Sequence, residues 1–379
     1  LCYPQEKAPN NNLILGNNTS IFNTSQLLLN KKVNPSLPAD FVRIKKKKLH
    51  IENKSFLISG TFIINQNINF IDCDIRMQPG ASIIVTNNST LFLKNTYVWG
   101  ACGEMWEEIL VDGGGNHIET DNSLIEDGKA AIHCDKGGAY ELKNTVFNKN
   151  FRSVYLTDAG LGTVTSCLFT CQDLPSAMTN FHNNYYGAYT TVGFPTTSLN
   201  TTLLKSPYQT IRSYCGIVAI NTRDVIVGDA ANADNLNIFD YLDFGIRATD
   251  LNLLKAYNNL FWRIEYFDTP PVKNPPNAAI WTNSQIDGFS LFVGDYNTNE
   301  LNRFYDCQNG IWSKGIYDKY LVFNNRFENT IGYTNDRFGI SHSGHTNFFI
   351  VEGNKMLNMN YGICKSDFRT MKTISKIIT

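Results

Sequence analysis

The clearest chemical signal in the sequence is a basic residue and two tryptophans at a regular interval. Arg247, Trp281 and Trp312 each follow the isoleucine of a recurring Gly-Ile or Ala-Ile pair, and Thr249, Asn283 and Lys314 stand two residues further on. Rings in a row with amide and ammonium groups at their rim suit a sugar, whose apolar face lies on the aromatics while its hydroxyls go to the rim. An aromatic ladder that only stabilises the sheet would use the same row. Arg247 also stands between Asp243 and Asp250. It is the best candidate for the basic residue of a lyase, although such a trio is more often an ordinary surface ion pair.

Asp112 and Asp135 are the two carboxylates expected to lie closest. Like charges that near repel unless a cation or a proton lies between them. Ca²⁺ would want six or more oxygens, which two aspartates only begin to supply. No cofactor is therefore expected, with Ca²⁺ at Asp112 and Asp135 the one cation left open. The run Ser341-His342-Ser343-Gly344-His345 holds two histidines three apart without a carboxylate beside them, and reads as a loop rather than a metal site.

What would position these residues is a repeat. Glu108-Ile109-Leu110-Val111-Asp112, Ala131-Ile132-His133-Cys134-Asp135 and Ser153-Val154-Tyr155-Leu156-Thr157 align, with Ile109, Ile132 and Val154 spaced 23 and then 22 residues apart. One strand-like run per 20 to 30 residues marks a solenoid. Side chains of a strand alternate between faces, so Ile109, Ile132 and Val154 point inward with Val111, Cys134 and Leu156. Leu110, His133 and Tyr155 then point outward. Parallel strands cannot be joined by tight hairpins, so the chain must wind. The expected fold is all-β, a right-handed parallel β-helix of about a dozen coils.

The pattern continues through Ile217, Ile246, Ile280, Ile311, Ile340 and Ile363, with gaps after Val154 of 63, 29, 34, 31, 29 and 23 residues. The long first gap, and the Pro270-Pro271 and Pro275-Pro276 pairs, indicate insertions near 172–210 and 262–278. Residues 1–44 read as an irregular lead-in that caps the solenoid, 45–368 as the β-helix, and 369–379 as a tail. The basic run Lys45 to Lys48 suits a solvated edge that blocks strand addition. Two residues after each isoleucine the inward column ends in His342 and Lys365, which a sealed core would not welcome. The register slips there or the last coils open.

Net charge is −1, so neither nucleic acid nor an anionic membrane surface is an expected partner. No run of 18 apolar residues provides a membrane-spanning helix. Nine cysteines, among them Cys167 and Cys171 four apart, leave at least one thiol unpaired if the rest are oxidised. Cys134, in the inward column, reads as a small core residue.

Met105-Trp106-Glu107-Glu108-Ile109-Leu110-Val111, with Asn122-Ser123-Leu124-Ile125-Glu126-Asp127-Gly128-Lys129-Ala130-Ala131-Ile132 after it, resembles the right-handed parallel β-helix proteins of the pectate-lyase-like superfamily. More narrowly it resembles β-helix modules of secreted and surface proteins of Bacteroidetes, often cargo of the type IX secretion system. The resemblance implies the fold and an extracellular setting; a fold alone implies no reaction. The family's hydrolase signatures, an Asn-Thr-Asp triplet, an Asp-Asp pair and a Gly-His-Gly, are absent. The expectation is a secreted or cell-surface module, either alone or as a piece of a larger surface protein or complex, that recognises a polysaccharide, a cell-surface glycan or another surface without catalysis. The alternatives are a polysaccharide lyase or glycoside hydrolase working in a groove, and a purely structural spacer. Glycan-binding candidates are Arg247, Trp281, Asn283, Trp312 and Lys314.

Overall fold

The computed structural model describes residues 14–15, 21–25, 41–101, 104–171, 213–232, 235–264, 276–298, 301–330, 337–366 and 370–378. Over these residues the chain is all-β, and strand after strand pairs in parallel with its counterpart one coil away, which makes it a parallel β-helix. It divides into two units, Leu1–Tyr155 with Cys171–Arg212, and Leu156–Thr170 with Ser213–Thr379.

In the first unit a coil carries three short strands. Thr90–Lys94, Tyr97–Gly100 and Trp106–Asp112 are followed one coil later by His117–Asp121, Leu124–Glu126 and Gly128–Asp135. Leu91 pairs with Ile118, Val98 with Ile125 and Val111 with Cys134. Apolar residues alternate with polar ones because only one face of each strand looks inward. Ile109, Val111, Ile132, Cys134 and Val154 are fully buried, as the sequence pattern requires.

The corners between strands explain the Asn-Thr and Asn-Ser pairs. Asp72, Asn95, Asn122 and Asn144 take left-handed backbone conformations with φ of 52, 48, 46 and 49°, which short polar side chains tolerate by bonding locally. They also bond one another along the stack: Asn122 Nδ2 donates to Asn95 Oδ1 at 3.0 Å, and Asn95 donates to Asp72. The next residue turns inward. The hydroxyls of Thr96, Ser123 and Thr145 each donate to the carbonyl two residues back, at 2.9, 3.1 and 2.8 Å.

In the second unit that inward corner position is asparagine. Asn237, Asn259, Asn302, Asn325 and Asn354 are buried and form a chain, each Nδ2 donating to the next Oδ1 at 2.9 to 3.0 Å. Each also donates to a backbone carbonyl, so a fully satisfied polar network replaces what would be a costly buried amide. Beside it Phe169, Phe239, Phe261, Phe304 and Phe327 stack with centroids 4.4 to 5.0 Å apart. This stack accounts for the Gly-Ile motif. A Cβ at Gly216 would lie 2.7 Å from the Phe239 ring, and one at Gly245 2.7 Å from the Phe261 ring, so the residue before the inward isoleucine stays small.

Ile217, Ile246, Ile280, Ile311 and Ile340 are fully buried, while Ile363, on an outer coil, is half-buried. The register does not slip at His342. Ser313 pairs with His342 and His342 with Lys365, and the opening is confined to the coil of Ile363 and Lys365, which is half-buried. The His342 ring is enclosed between Ser313 Oγ, 3.0 Å from Nδ1, and Thr346 Oγ1, 2.8 Å from Nε2. Two hydroxyls that can each donate or accept satisfy the neutral imidazole.

The lead-in and the tail both join the ladders. Ile14–Leu15 pairs with Leu57–Ile58 and Ile21–Asn23 with Thr61–Ile63, all in parallel, and Thr370–Ile378 pairs with strand residues 346–355. Lys45 to Lys48 close a tight antiparallel turn in which Lys45 Nζ meets Glu52 at 2.7 Å. The insertion near 172–210 lies outside the described residues, as does 265–275 within the second.

Two outcomes follow from this packing. Ile132→Asp places an unpaired charge in a sealed column and is expected to destabilise the fold by about 3 to 5 kcal/mol, read by chemical denaturation; unchanged stability would mean the column is not sealed. Burial first, and the nearby Lys365 charge second, hold His342 down to about 4. The unfolded chain, with an ordinary histidine near 6.5, therefore binds more protons between pH of about 4 and 6.5. Stability is complete above that window and falls through it as pH drops, by about 3 kcal/mol for this group. Melting curves at pH 7 and 4.5 should show wild type losing more than His342→Gln; equal losses would contradict the enclosed ring.

Candidate functional site

In the second unit the register of the outward column is as expected: Arg247 pairs with Trp281 and Trp281 with Trp312, while Thr249, Asn283 and Lys314 line up two residues on. The two indoles stack with centroids 5.5 Å apart and planes 7° from parallel. The Arg247 guanidinium lies 4.8 Å from the Trp281 ring centre and donates to the Tyr214 hydroxyl. This arrangement corrects the expectation of an open platform. Trp281 is only 6% exposed, because Trp312 stacks on it from one neighbouring strand and Arg247 lies over it from the other. Its Nε1 is buried without a hydrogen-bond partner among the described residues. Trp312 and Asn283 are half-buried, and only Lys314 of the five candidates is exposed. Asp250, one of the aspartates flanking Arg247, is turned to its own corner, where Oδ1 accepts from the Gln285 amide at 2.7 Å.

Asp112 and Asp135 are paired directly across the ladder. The cation beside them is Lys136, whose Nζ lies 2.9 Å from Asp112 Oδ1 and 3.5 Å from Asp135 Oδ2. The bond to Asp112 holds this ammonium above the ordinary lysine range. Among the described residues no group of three or more His, Cys, Asp or Glu side chains is arranged to hold a metal. Cys73, Cys134, Cys167, Cys171, Cys215 and Cys307 are buried thiols outside any disulfide, and Cys364 is an exposed one. Desolvation pushes Cys73 up to about 12 and raises Cys134 as well, which keeps both protonated and unreactive.

The site that the structure does form lies in the first unit. Glu108, His133, Arg152 and Tyr155 meet around an open dent of about 350 Å³, with Glu107 and Lys129 at its rim and Met105, Ala130 and Phe151 supplying apolar wall. A β-bulge makes it. Glu108 pairs with Ala130 but Leu110 pairs with His133, so the strand Gly128–Asp135 carries one residue more than its partner between these points. Bulges re-aim side chains locally. Here the alanine methyl opposite Glu108 leaves room, and His133 Nδ1 reaches Glu108 Oε2 at 2.8 Å.

The surroundings fix each part. The His133 and Tyr155 rings stack with centroids 4.5 Å apart, and the Arg152 guanidinium lies 4.6 Å from the Tyr155 centre and 5.3 Å from that of Phe151. Lys129 Nζ meets Glu107 at 2.7 Å. Below the dent the buried Trp106 anchors its Nε1 on the Glu126 carbonyl at 2.7 Å, and the buried Asn150 ties Ile125 O to Gly128 N at 2.9 and 2.8 Å. Unlike Trp281, the His133 and Glu108 side chains keep 17% and 26% of their surface exposed. The dent offers donors, acceptors, ring edges and both signs of charge within one sugar-sized space. Sequence reading placed His133 and Tyr155 in the outward column but gave them no role. The available signal was the residue added between Gly128 and Ile132, one more than between Trp106 and Ile109.

Compared with known proteins, the chain matches no family model, no curated protein and no solved structure. No helix of the described residues is long and apolar enough to cross a membrane.

Because both faces of Trp281 are covered, Trp281→Ala should behave as a core truncation and destabilise by about 3 to 5 kcal/mol, with Trp312→Ala costing less. Equal and negligible losses in a denaturant titration would reject the stack as a structural element.

Proposed function

We propose that this chain is a β-helix module that recognises a glycan, and that the dent at Glu108, His133, Arg152 and Tyr155 is where a sugar is held. The observation that carries the reading is the stacked His133–Tyr155 wall, with the carboxylates of Glu107 and Glu108 and the cations of Lys129 and Arg152 around the same space. A pyranose has apolar C–H patches and a belt of hydroxyls that both donate and accept. Rings and the Met105, Ala130 and Phe151 surface suit the first, and the charged groups suit the second. Ligand sites generally span about 300 to 1,000 Å³, so this dent takes one sugar residue rather than a long run of them.

An extracellular setting belongs to the same proposal. It is supported by the resemblance of Met105–Val111 and Asn122–Ile132 to β-helix modules of secreted and surface proteins of Bacteroidetes, within the pectate-lyase-like superfamily and like type IX secretion cargo. A role as part of a larger surface assembly fits that setting.

A second reading, a polysaccharide lyase, is favoured by one observation: a carboxylate-held imidazole at His133 is a competent proton acceptor. A glycan array run beside a lyase assay separates the readings. Recognition predicts array binding that Tyr155→Ala weakens by about 1 to 3 kcal/mol while the chain stays folded, with no unsaturated ends formed from uronate polymers. Formation of unsaturated ends that His133→Ala abolishes would establish the lyase. No binding and no turnover would leave a structural spacer.

A further inference from the structure

The charges around the dent are not equivalent. Lys129 forms an ion pair with Glu107 at 2.7 Å, and Glu108 Oε2 lies within hydrogen-bond distance of His133 Nδ1 at 2.8 Å. Arg152 has no carboxylate partner among the described residues; its guanidinium rests on the Tyr155 and Phe151 rings, with centroid distances of 4.6 and 5.3 Å. Rings hold a guanidinium by its face and leave the N–H groups at its edge without acceptors. Those N–H groups form a fork whose geometry matches two oxygens of one anionic group. Neither Glu107 nor Glu108 is bonded to Arg152; Glu107 meets Lys129 and Glu108 meets His133.

Resting on the sugar-binding reading above, we propose that the dent selects a sugar carrying one negative charge, a carboxylate or a sulfate, which Arg152 receives. The apolar wall and the paired groups then orient the ring, and Arg152, the cation of the dent without a carboxylate partner among the described residues, sets the charge of the ligand. Neutral sugars would occupy the same space while leaving the guanidinium edge to water, and so bind more weakly.

The test uses the full chain and three immobilised probes: a methyl glucuronoside, glucose 6-sulfate and a neutral methyl glucoside. At least one anionic probe should bind about ten- to a hundredfold more tightly than the neutral one, the range expected for a charge-assisted bidentate contact. Arg152→Gln should erase that preference, and Arg152→Lys, which keeps the charge but not the fork, should restore part of it. Which anionic probe binds identifies the group. Equal binding of all three, or a preference that survives Arg152→Gln, overturns the role of Arg152; if Tyr155→Ala still abolishes that binding, sugar recognition at the dent stands. Absence of binding to any probe, with the array also empty, overturns both.

Discussion

Every inward side chain of this fold has its counterpart on the next coil as nearest neighbour, one strand spacing away at about 4.8 Å. Whatever occupies a position must therefore tolerate its own kind at that distance. Asparagine does, because its amide donates at one end and accepts at the other, and the chain from Asn237 to Asn354 runs through the core on that property. Phenylalanine does, by offset stacking. Ionised groups do not. His342, in register with Lys365, remains neutral with hydroxyls at both nitrogens.

The same rule governs the outward columns, with a different consequence. Direction alone does not decide whether an outward ring is available, because its neighbours above and below are also outward. Trp281 has large groups on both sides and loses its surface to them. At the dent the pattern is interrupted: alanine stands opposite glutamate, and the space that follows stays open to solvent. Availability is thus set by the size sequence along a column, read across coils rather than along the chain.

That distinction marks what could be read in the sequence. The coil period and the inward isoleucines depend on residues close together in the chain, and they were legible. So was the adjacency of Arg247, Trp281 and Trp312, which follows from register once the period is known. The burial of Trp281 was not, since it needs the positions of two rings and a guanidinium at once. Nor was the reason for the Gly-Ile motif, because the Phe239 ring that meets Gly216 lies on the following coil, 23 residues on. Lys136 was in plain view beside Asp135, but its reach back to Asp112 depends on a left-handed corner with φ of 49°.

The dent shows how a repeat acquires a specific place at all. A perfect solenoid offers the same surface on every coil, so any site requires a departure from the period. Here the departure is one residue, inserted between Gly128 and Ile132 without disturbing what comes after, since Val111 still meets Cys134 and Asp112 still meets Asp135. The inward column keeps its seal, with Ala131 and Ile132 both fully buried. The added residue is absorbed by the pairing in between, and it is there that Glu108 and His133 come within hydrogen-bond distance. Because the register recovers within a few residues, the chemistry of this coil can vary with little effect on the stacking of its neighbours. The site and the scaffold are joined by one strand but answer to different constraints: outward groups to what they bind, inward groups to their own copies.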